Sequence, residues 1–301
     1  MIKKIFNICV TTFCNGLEFF MNLNDYKLVW ADDFDYEGQP NPEKWSYEVG
    51  NFQWPNKELQ AYTDRPGNVF VKDGKLTIRS VKEQDGEREY TSAKINTRGK
   101  ASWQYGYFEI RAKFPGGTGS WPAIWMMPYK EKPPIPDWVP KREDGRPDFD
   151  NFTKEDWDRF PKTPKKDRWP DCGEIDIVEH IGRRPNLLLF SLHSGMFNHR
   201  MSEPNPFSNH KLYDYNPPED FHTYGMEWTP DYFEFFVDGE SQFKYERPDV
   251  PKEQMHHAWP FDKPYYLIMN TAVGGGLGGP VDDSHLPYIF EIEYVHVYQK
   301  K

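Results

Sequence analysis

Hydrophobic and polar residues alternate along most of the chain after Leu28, which is the period of a β-strand with one buried face. Residues 68–80 form two such runs around Asp73-Gly74, a dipeptide typical of tight hairpins. Helical periodicity is scarce. Many short strands separated by glycine, proline and asparagine predict an all-β sandwich. The other alternating runs are residues 106–114, 187–193, 222–228, 232–237, 265–271 and 290–298.

Two segments depart from this alternation. Residues 1–20 begin with lysines and an apolar stretch, but Asn7, Thr11 and Thr12 interrupt it and no small-residue cleavage site follows. We interpret them as a weak signal-like or spurious N-terminal segment before a single domain at 21–301. Residues 129–170 form an insertion rich in proline and in charges of both signs. Such a segment is either a solvated surface loop or a wall of a binding cleft, and its aromatic residues favour the wall.

Composition excludes several classes of function. The chain of 301 residues has 47 acidic residues against 37 lysines and arginines, and its net charge of −10 argues against nucleic-acid binding, which needs clustered basic residues. No apolar run approaches the roughly 18 residues that a membrane-spanning helix needs. Three cysteines are too few for a disulfide framework. With 17% aromatic residues, the remaining picture is an acidic domain with a core rich in rings.

Three acidic residues, Glu174, Asp176 and Glu179, lie close together in the segment EIDIVEH. The residues between them are β-branched, which favours a strand. On a regular strand Glu174 and Asp176 share a face, whereas Glu179 points to the other side. One bulge at Ile177-Val178 would return Glu179 to the shared face.

This carboxylate cluster has three interpretations. With the bulge, Glu174 and Glu179 could lean to about 5 Å apart, the separation by which a retaining glycosidase forms and hydrolyses a covalent glycosyl intermediate. Asp176 between them would help to raise the pKa of the acid. The same acids could instead bind a divalent cation, or form an exposed edge that discourages pairing with other strands.

The segment CGEIDIVEH resembles the signature of glycoside hydrolase family 16 in its bulged form, Glu-x-Asp-x-x-Glu. The similarity extends from about residue 29 to residue 298, with the insertion at 129–170 as the main departure. It implies a jelly-roll sandwich of two curved antiparallel sheets with a concave substrate cleft. Further segments resemble the bacterial laminarinase-like (endo-1,3-β-glucanase) branch: NKELQAYT, YTSAKINTRGKASWQYGYFEIRAKFPGG, SWPAIWMMP and WPFDKPYYLIMNTAVGGGLGGP.

The resemblance also implies roles for individual residues. Glu174 would be the nucleophile, Glu179 the acid/base and Asp176 the supporting carboxylate of a retaining double displacement. Trp121 and Trp125, four residues apart and therefore on one face of a strand, match positions that floor the cleft. The other residues implied to hydrogen-bond or stack on sugar are Trp103, Asn56, Glu58, Arg98 and His193.

No cofactor for catalysis is implied, but many family members carry a structural calcium on the convex side. The matching acidic residues are Asp33 and Glu293, and Glu293 departs from the aspartate more usual there. Oxygen ligands from both sheets would then hold the chain termini together.

The resulting expectation is a monomeric endo-acting enzyme that cleaves β-1,3 linkages in laminarin-like or mixed-linkage (1,3-1,4) β-glucan. Because polymeric glucans lie outside cells, an extracellular, cell-surface or periplasmic location is expected. Hydrolysis of a marine galactan (agar, porphyran or carrageenan) stays open, with basic residues of the insertion as sulfate ligands: Lys162, Lys165, Lys166 and Arg168. A non-catalytic β-glucan-binding protein would lack one glutamate, whereas Glu174 and Glu179 are both present.

Overall fold

The computed structural model of the chain describes residues 23–51, 54–129, 136, 138–141, 152–159, 164–201 and 203–301. Within these ranges the chain forms short helices at α1 (Lys154–Arg159), α2 (Lys252–Ala258) and α3 (Gly275–Gly278). The strands are β1 (Tyr26–Asp32), β2 (Ser46–Tyr47), β3 (Gln60–Tyr62), β4 (Val69–Lys72), β5 (Lys75–Asp85), β6 (Arg88–Ser92), β7 (Lys94–Asn96), β8 (Gly106–Lys113), β9 (Ser120–Pro128), β10 (Glu174–His180), β11 (Leu187–His193), β12 (Ser208–Leu212), β13 (His222–Trp228), β14 (Tyr232–Val237), β15 (Glu240–Glu246), β16 (Tyr265–Val273) and β17 (Tyr288–Lys300).

The strands form two large sheets. The ten-stranded sheet has the order β15-β14-β13-β8-β17-β5-β6-β3, and β1 and β4 pair with β17 and β5. The seven-stranded sheet has the order β12-β11-β10-β9-β16-β7-β2. Pairing is antiparallel except between β3 and β6. The predicted all-β sandwich of antiparallel sheets is therefore confirmed.

The hydrophobic core lies between the two sheets. Phe108 and Ile110 of β8 face the same cluster as Ile124 and Met126 of β9, and all four are fully buried. Each such side chain contributes about 1.5–3 kcal/mol by leaving water. Burial of alternating residues from both sheets fixes which face of each strand remains outside the core.

The predicted strands are found close to their expected positions. The runs at 187–193, 222–228 and 232–237 coincide with β11, β13 and β14, and the run at 106–114 becomes β8. The hairpin at 68–80 is β4 and β5, joined by Asp73 (φ 53°) and Gly74 (φ 72°). Positive φ at both turn residues is the geometry that suits the twist of the flanking strands.

Two predictions fall wholly or partly outside the described residues. The signal-like segment at 1–20 does so entirely. Of the insertion, the structure describes α1, a stack of Trp138 on Phe152 with ring centroids 5.4 Å apart, and the residues from 164 onward. In the described part of the chain no helix is long and apolar enough to cross a membrane.

Candidate active site

The strand that carries the carboxylate cluster is bulged. Against β9, Asp176 pairs with Trp125 and Val178 with Ile124, so Ile177 has no partner. Against β11, the register also shifts between Asp176 and Glu179. Ile177 and Val178 are both fully buried in the core. The predicted bulge is confirmed, and it places Glu174, Asp176 and Glu179 together on the opposite face.

This open face of the seven-stranded sheet is the floor of a cleft of about 410 Å³. Strand β9 supplies alternate residues to it, while the intervening Ile124 and Met126 face the core. Aromatic rings with a few convergent polar groups are the usual lining of a ligand site. The lining residues are Trp54, Asn56, Glu58, Tyr62, Lys94, Trp121, Ala123, Trp125, Met127, Trp169, Glu174, Asp176, Glu179, His199, Arg200, Asn270 and Ala272.

The three carboxyl groups have raised pKa values. Burial raises the pKa of Asp176 to about 8. Burial and the neighbouring charge of Asp176 raise the pKa of Glu174 to about 8 and that of Glu179 to about 7. His193 and Lys94 act in the opposite direction on Glu174 because positive charges favour the carboxylate. The cluster therefore holds protons at neutral pH, as acid catalysis requires.

His193 lies beside these acids, with its Nε2 atom 3.3 Å from Oδ2 of Asp176. One polar atom each from Glu174, Asp176 and His193 lie within 4.8 Å of one another. Among the described residues, this is the one cluster of three or more potential ligands close enough together to hold a metal ion. The geometry alone thus permits a cation as well as proton-transfer chemistry, and the choice between them depends on the family relationship.

Two tryptophan indoles donate hydrogen bonds along the cleft floor. Trp121 Nε1 donates to Oε1 of Glu179 at 2.8 Å, and Trp125 Nε1 donates to Oδ1 of Asn270 at 2.7 Å. Asn270 Nδ2 in turn donates to the hydroxyl of Tyr62 at 2.9 Å. The predicted placement of both tryptophans on one face is confirmed, and their rings are fixed by these bonds.

One wall of the cleft is aromatic and basic. The ring of Trp169 has its centroid 5.0 Å from that of His199, and the Arg200 guanidinium carbon lies 4.5 Å from the Trp169 centroid. Trp169 belongs to the C-terminal end of the insertion, so the insertion contributes to the cleft. We refer to Trp169, His199 and Arg200 as the basic wall.

The structure brings most of the predicted site residues together. Asn56 and Glu58 line the cleft with the two tryptophans and the three acids, and His193 lies beside Asp176. Burial raises the pKa of Glu58, which accepts a hydrogen bond from Gln60 Nε2 at 2.8 Å.

Two of the predicted sugar contacts are placed elsewhere. Trp103 is buried in the core, edge-on to Trp30 and Phe108 at centroid distances of 5.4 and 5.8 Å. Its ring is thereby enclosed by other rings and does not line the cleft. Arg98 is also not among the lining residues, and its guanidinium carbon lies 5.7 Å from the Tyr266 ring.

Sequence reasoning missed several lining residues. Lys94 lies 4.9 Å from the Trp125 ring centroid and forms an ion pair with Glu48 at 3.1 Å. Asn270 is a lone amide in the apolar run LIMNTAV, and this isolation was the available signal. The other lining residues that were missed are Trp54, Tyr62, Ala123, Met127, His199, Arg200 and Ala272.

The proposed calcium ligands have other partners. Asp33 Oδ1 lies 2.7 Å from His296 Nε2, and Glu293 Oε2 accepts a hydrogen bond from Arg111 Nε at 2.7 Å. A guanidinium bound to Glu293 competes with a cation for that carboxylate. These two residues, as arranged, do not fit a calcium site, and calcium binding stays a prediction.

The profile of Glycosyl hydrolases family 16 matches residues 160–292. The chain is 41% identical over 279 residues to a beta-glucanase of Rhodothermus marinus, covering 91% of this chain and 85% of that protein. The X-ray structure of the laminarinase from Rhodothermus marinus is similar with a TM-score of 0.74 and 38% identity, covering 92% of this chain and 98% of the other. A non-specific endo-β-1,3(4)-glucanase from family GH16 has a TM-score of 0.73 and 36% identity, with 92% of each chain covered.

Proposed function

The chain belongs to glycosyl hydrolases family 16, and from that membership we propose the substrate and the roles of its site residues. It is a glycoside hydrolase that acts within β-glucan chains at β-1,3 linkages, in laminarin-like or mixed-linkage (1,3-1,4) polymers. The observation that carries the roles is the bulge at Ile177, which aligns two glutamates and an aspartate in a tryptophan-lined cleft.

The first step forms a covalent intermediate. The Glu174 carboxylate attacks the anomeric carbon while Glu179 donates its proton to the glycosidic oxygen, so the sugar–oxygen bond breaks and the leaving chain departs as an alcohol. The raised pKa of Glu179 supports this role, since the carboxyl must still hold its proton near neutral pH.

The second step releases the sugar. Glu179, now ionised, takes a proton from water, and the resulting hydroxyl attacks the anomeric carbon and frees Glu174. Two inversions leave the β-configuration of the product unchanged. One group thus serves as acid and then as base, which requires a pKa near the working pH.

Asp176 and His193 would tune the nucleophile. The Asp176 charge raises the pKa of Glu174, so a proton held by Asp176 removes that repulsion and lets Glu174 ionise. His193, beside Asp176, lowers the pKa of Glu174 when it carries charge. Both groups are buried, where such interactions are strong.

The alternatives receive less support. Of the insertion's basic residues, Lys166 and Arg168 do not line the cleft, Lys162 lies outside the described residues, and the Lys165 side chain is not described. A sulfate-binding cleft would instead rely on Lys94 and Arg200. A purely binding protein has no need for two glutamates with raised pKa values in one cleft.

The test is product analysis on laminarin, barley mixed-linkage glucan, agarose and κ-carrageenan. Oligosaccharides from the glucans are expected, with retained anomeric configuration by NMR. A 2-deoxy-2-fluoro glucoside should label Glu174, and Glu174→Gln and Glu179→Gln should each reduce turnover by at least about a thousandfold. Wild-type turnover by Glu174→Gln contradicts the mechanism, and products only from a galactan contradict the substrate.

We also propose that the enzyme acts outside the cell as a monomer, since an intact polysaccharide does not cross a membrane freely. Cell fractionation with an antibody against the enzyme tests the location. Light scattering of the purified chain tests the oligomeric state, and a mass of 35.7 kDa is expected for a monomer of the whole chain.

A further inference from the structure

Trp121 contacts the acid Glu179 directly. Glu179 pairs with Ala123 across β9 and β10, so Trp121, two residues before Ala123 in β9, is its diagonal neighbour on the cleft face. Trp121 Nε1 donates to Oε1 of Glu179 at 2.8 Å. Among the described residues, Trp121 is the one side chain that donates a hydrogen bond to the Glu179 carboxyl.

The hydrogen bond makes the two oxygens of Glu179 unequal. An indole N–H can only donate, so Oε1 must present a lone pair to it. Because the carbonyl oxygen of a carboxylic acid accepts better than its hydroxyl oxygen, this donor favours the proton on Oε2, the oxygen without it. When the proton leaves, the same bond becomes charge-assisted and roughly twice as strong.

We propose that Trp121 is the positioning residue of the acid/base: its N–H fixes Glu179 so that Oε2 carries and delivers the catalytic proton. This inference rests on the proposed role of Glu179 and goes beyond a sugar-stacking role for Trp121. Burial and the charge of Asp176 raise the pKa of Glu179. Because the Trp121 hydrogen bond favours the ionised form, it lowers that pKa and so acts against both.

Trp121 is itself held in place. Its Cβ would lie 3.5 Å from a Cβ added at Gly278, so the glycine-rich turn of α3 packs closely behind it. On the β16 side it pairs with Ala272. Backbone on both sides limits how far the indole can move, and this preorganisation is what a positioning residue needs.

Trp125 is a matched control. It lies four residues away on the same strand face, lines the same cleft and donates an indole hydrogen bond of 2.7 Å. Its acceptor is the amide of Asn270 and not a carboxylate. Replacing either tryptophan with phenylalanine removes one indole N–H and part of one ring, but only Trp121→Phe removes the donor to Glu179.

The experiment measures the pH dependence of kcat/KM on laminarin for wild type, Trp121→Phe and Trp125→Phe. The midpoint of the basic limb, where Glu179 loses its proton, should move up by about one pH unit in Trp121→Phe and stay at the wild-type value in Trp125→Phe. The kcat of Trp121→Phe should fall by about ten- to a hundredfold. Since kcat/KM reports the ionisation of free enzyme, loss of sugar contacts lowers the profile without moving this midpoint.

A second variant removes only the donor. Benzothienylalanine at position 121 replaces the indole N–H with sulfur and keeps the ring shape, so it tests the bond even where Trp121→Phe does not fold. An aryl β-glucoside oligomer with an acidic leaving group, which needs little protonation, should lose less kcat/KM than laminarin does in both variants.

An unshifted basic limb in the benzothienylalanine variant, or equal shifts in Trp121→Phe and Trp125→Phe, would overturn the inference. If the proposed function itself is wrong, the result is different: Glu179→Gln would then retain turnover.

Discussion

Gly173 directly precedes Glu174, the proposed nucleophile, and its replacement by alanine should be among the more damaging single changes in the chain. Its φ of +83° lies in the left-handed region, where a side chain costs about 1–2 kcal/mol. A Cβ built there meets the hydroxyl oxygen of Tyr265 at 2.2 Å and Cγ of Pro260 at 2.9 Å. Relieving such overpacking costs about 1–3 kcal/mol more.

The clash also disturbs a buried hydrogen bond. The Tyr265 hydroxyl donates to the carbonyl of Cys172 at 3.0 Å, and Tyr265 is fully buried. Losing this bond costs about 1 kcal/mol. Gly173→Ala should therefore lower the free energy of unfolding by about 3–6 kcal/mol, and it should reduce kcat because Glu174 moves with the backbone.

Gly74→Ala is the control, because Gly74 has a similar φ of +72° but nothing within 4 Å of its added Cβ. The free energy of unfolding of Gly74→Ala should fall only by the cost of the left-handed backbone conformation, about 1–2 kcal/mol. Urea unfolding followed by tryptophan fluorescence measures both variants. Adding Tyr265→Phe to Gly173→Ala should restore part of the stability, since the clashing oxygen is gone.

Equal losses in Gly173→Ala and Gly74→Ala would refute this reasoning, because the contact with Tyr265 would then contribute nothing. The same holds if the double variant shows no favourable coupling.

Three further predictions concern the cleft. In the proposed mechanism the Glu179 carboxyl must be protonated for the first step, and burial raises its pKa to about 7, so kcat/KM on laminarin should fall as pH rises through about 7; a fall already complete at pH 5 contradicts this. The pKa of Asp176 is raised by burial to about 8, so its contribution to stability is present below pH 4 and is lost as pH rises through 8. Asp176→Asn should accordingly reduce the drop in unfolding free energy between pH 4 and pH 8 by more than about 1 kcal/mol in urea titrations, and an unchanged drop would show that Asp176 is not responsible. Trp169→Ala removes the ring that contacts His199 and Arg200 in the basic wall, so KM on laminarin should rise by about tenfold with a smaller change in kcat, whereas an unchanged KM would exclude this wall from substrate binding.

Much of the framework follows from the sequence because alternation reports burial directly. The runs that became β11, β13 and β14 were bounded to the residue, since each strand has one face in the core and ends at turn residues. The bulge at Ile177 was also predictable, because three acids and three β-branched residues can be separated onto two faces only by one extra residue.

Other features were not accessible from local pattern. Trp103 lies outside the strands in an isolated bridge to Tyr265, so no alternation indicates which way its ring points. The rings of Trp30 and Phe108, which pack edge-on against it, decide that it is core. Arg98 follows β7 in a turn, and its placement against Tyr266 likewise depends on tertiary packing. Similarity in sequence identified these segments correctly but did not specify the faces of their side chains.

The bulge also explains why the arrangement of the three acids is stable. Ile177 and Val178 are adjacent and both fully buried, so a regular strand would expose one of them or bury Glu179 in the core. Exposing either side chain costs about 1.5–3 kcal/mol, and an unpaired buried carboxyl costs several more. Both penalties oppose the regular register. Burial of hydrophobic side chains on the core face of the sheet therefore keeps Glu179 on the cleft face. The position of Glu179 is therefore set by two side chains that never contact the substrate, and by Trp121, which fixes its orientation.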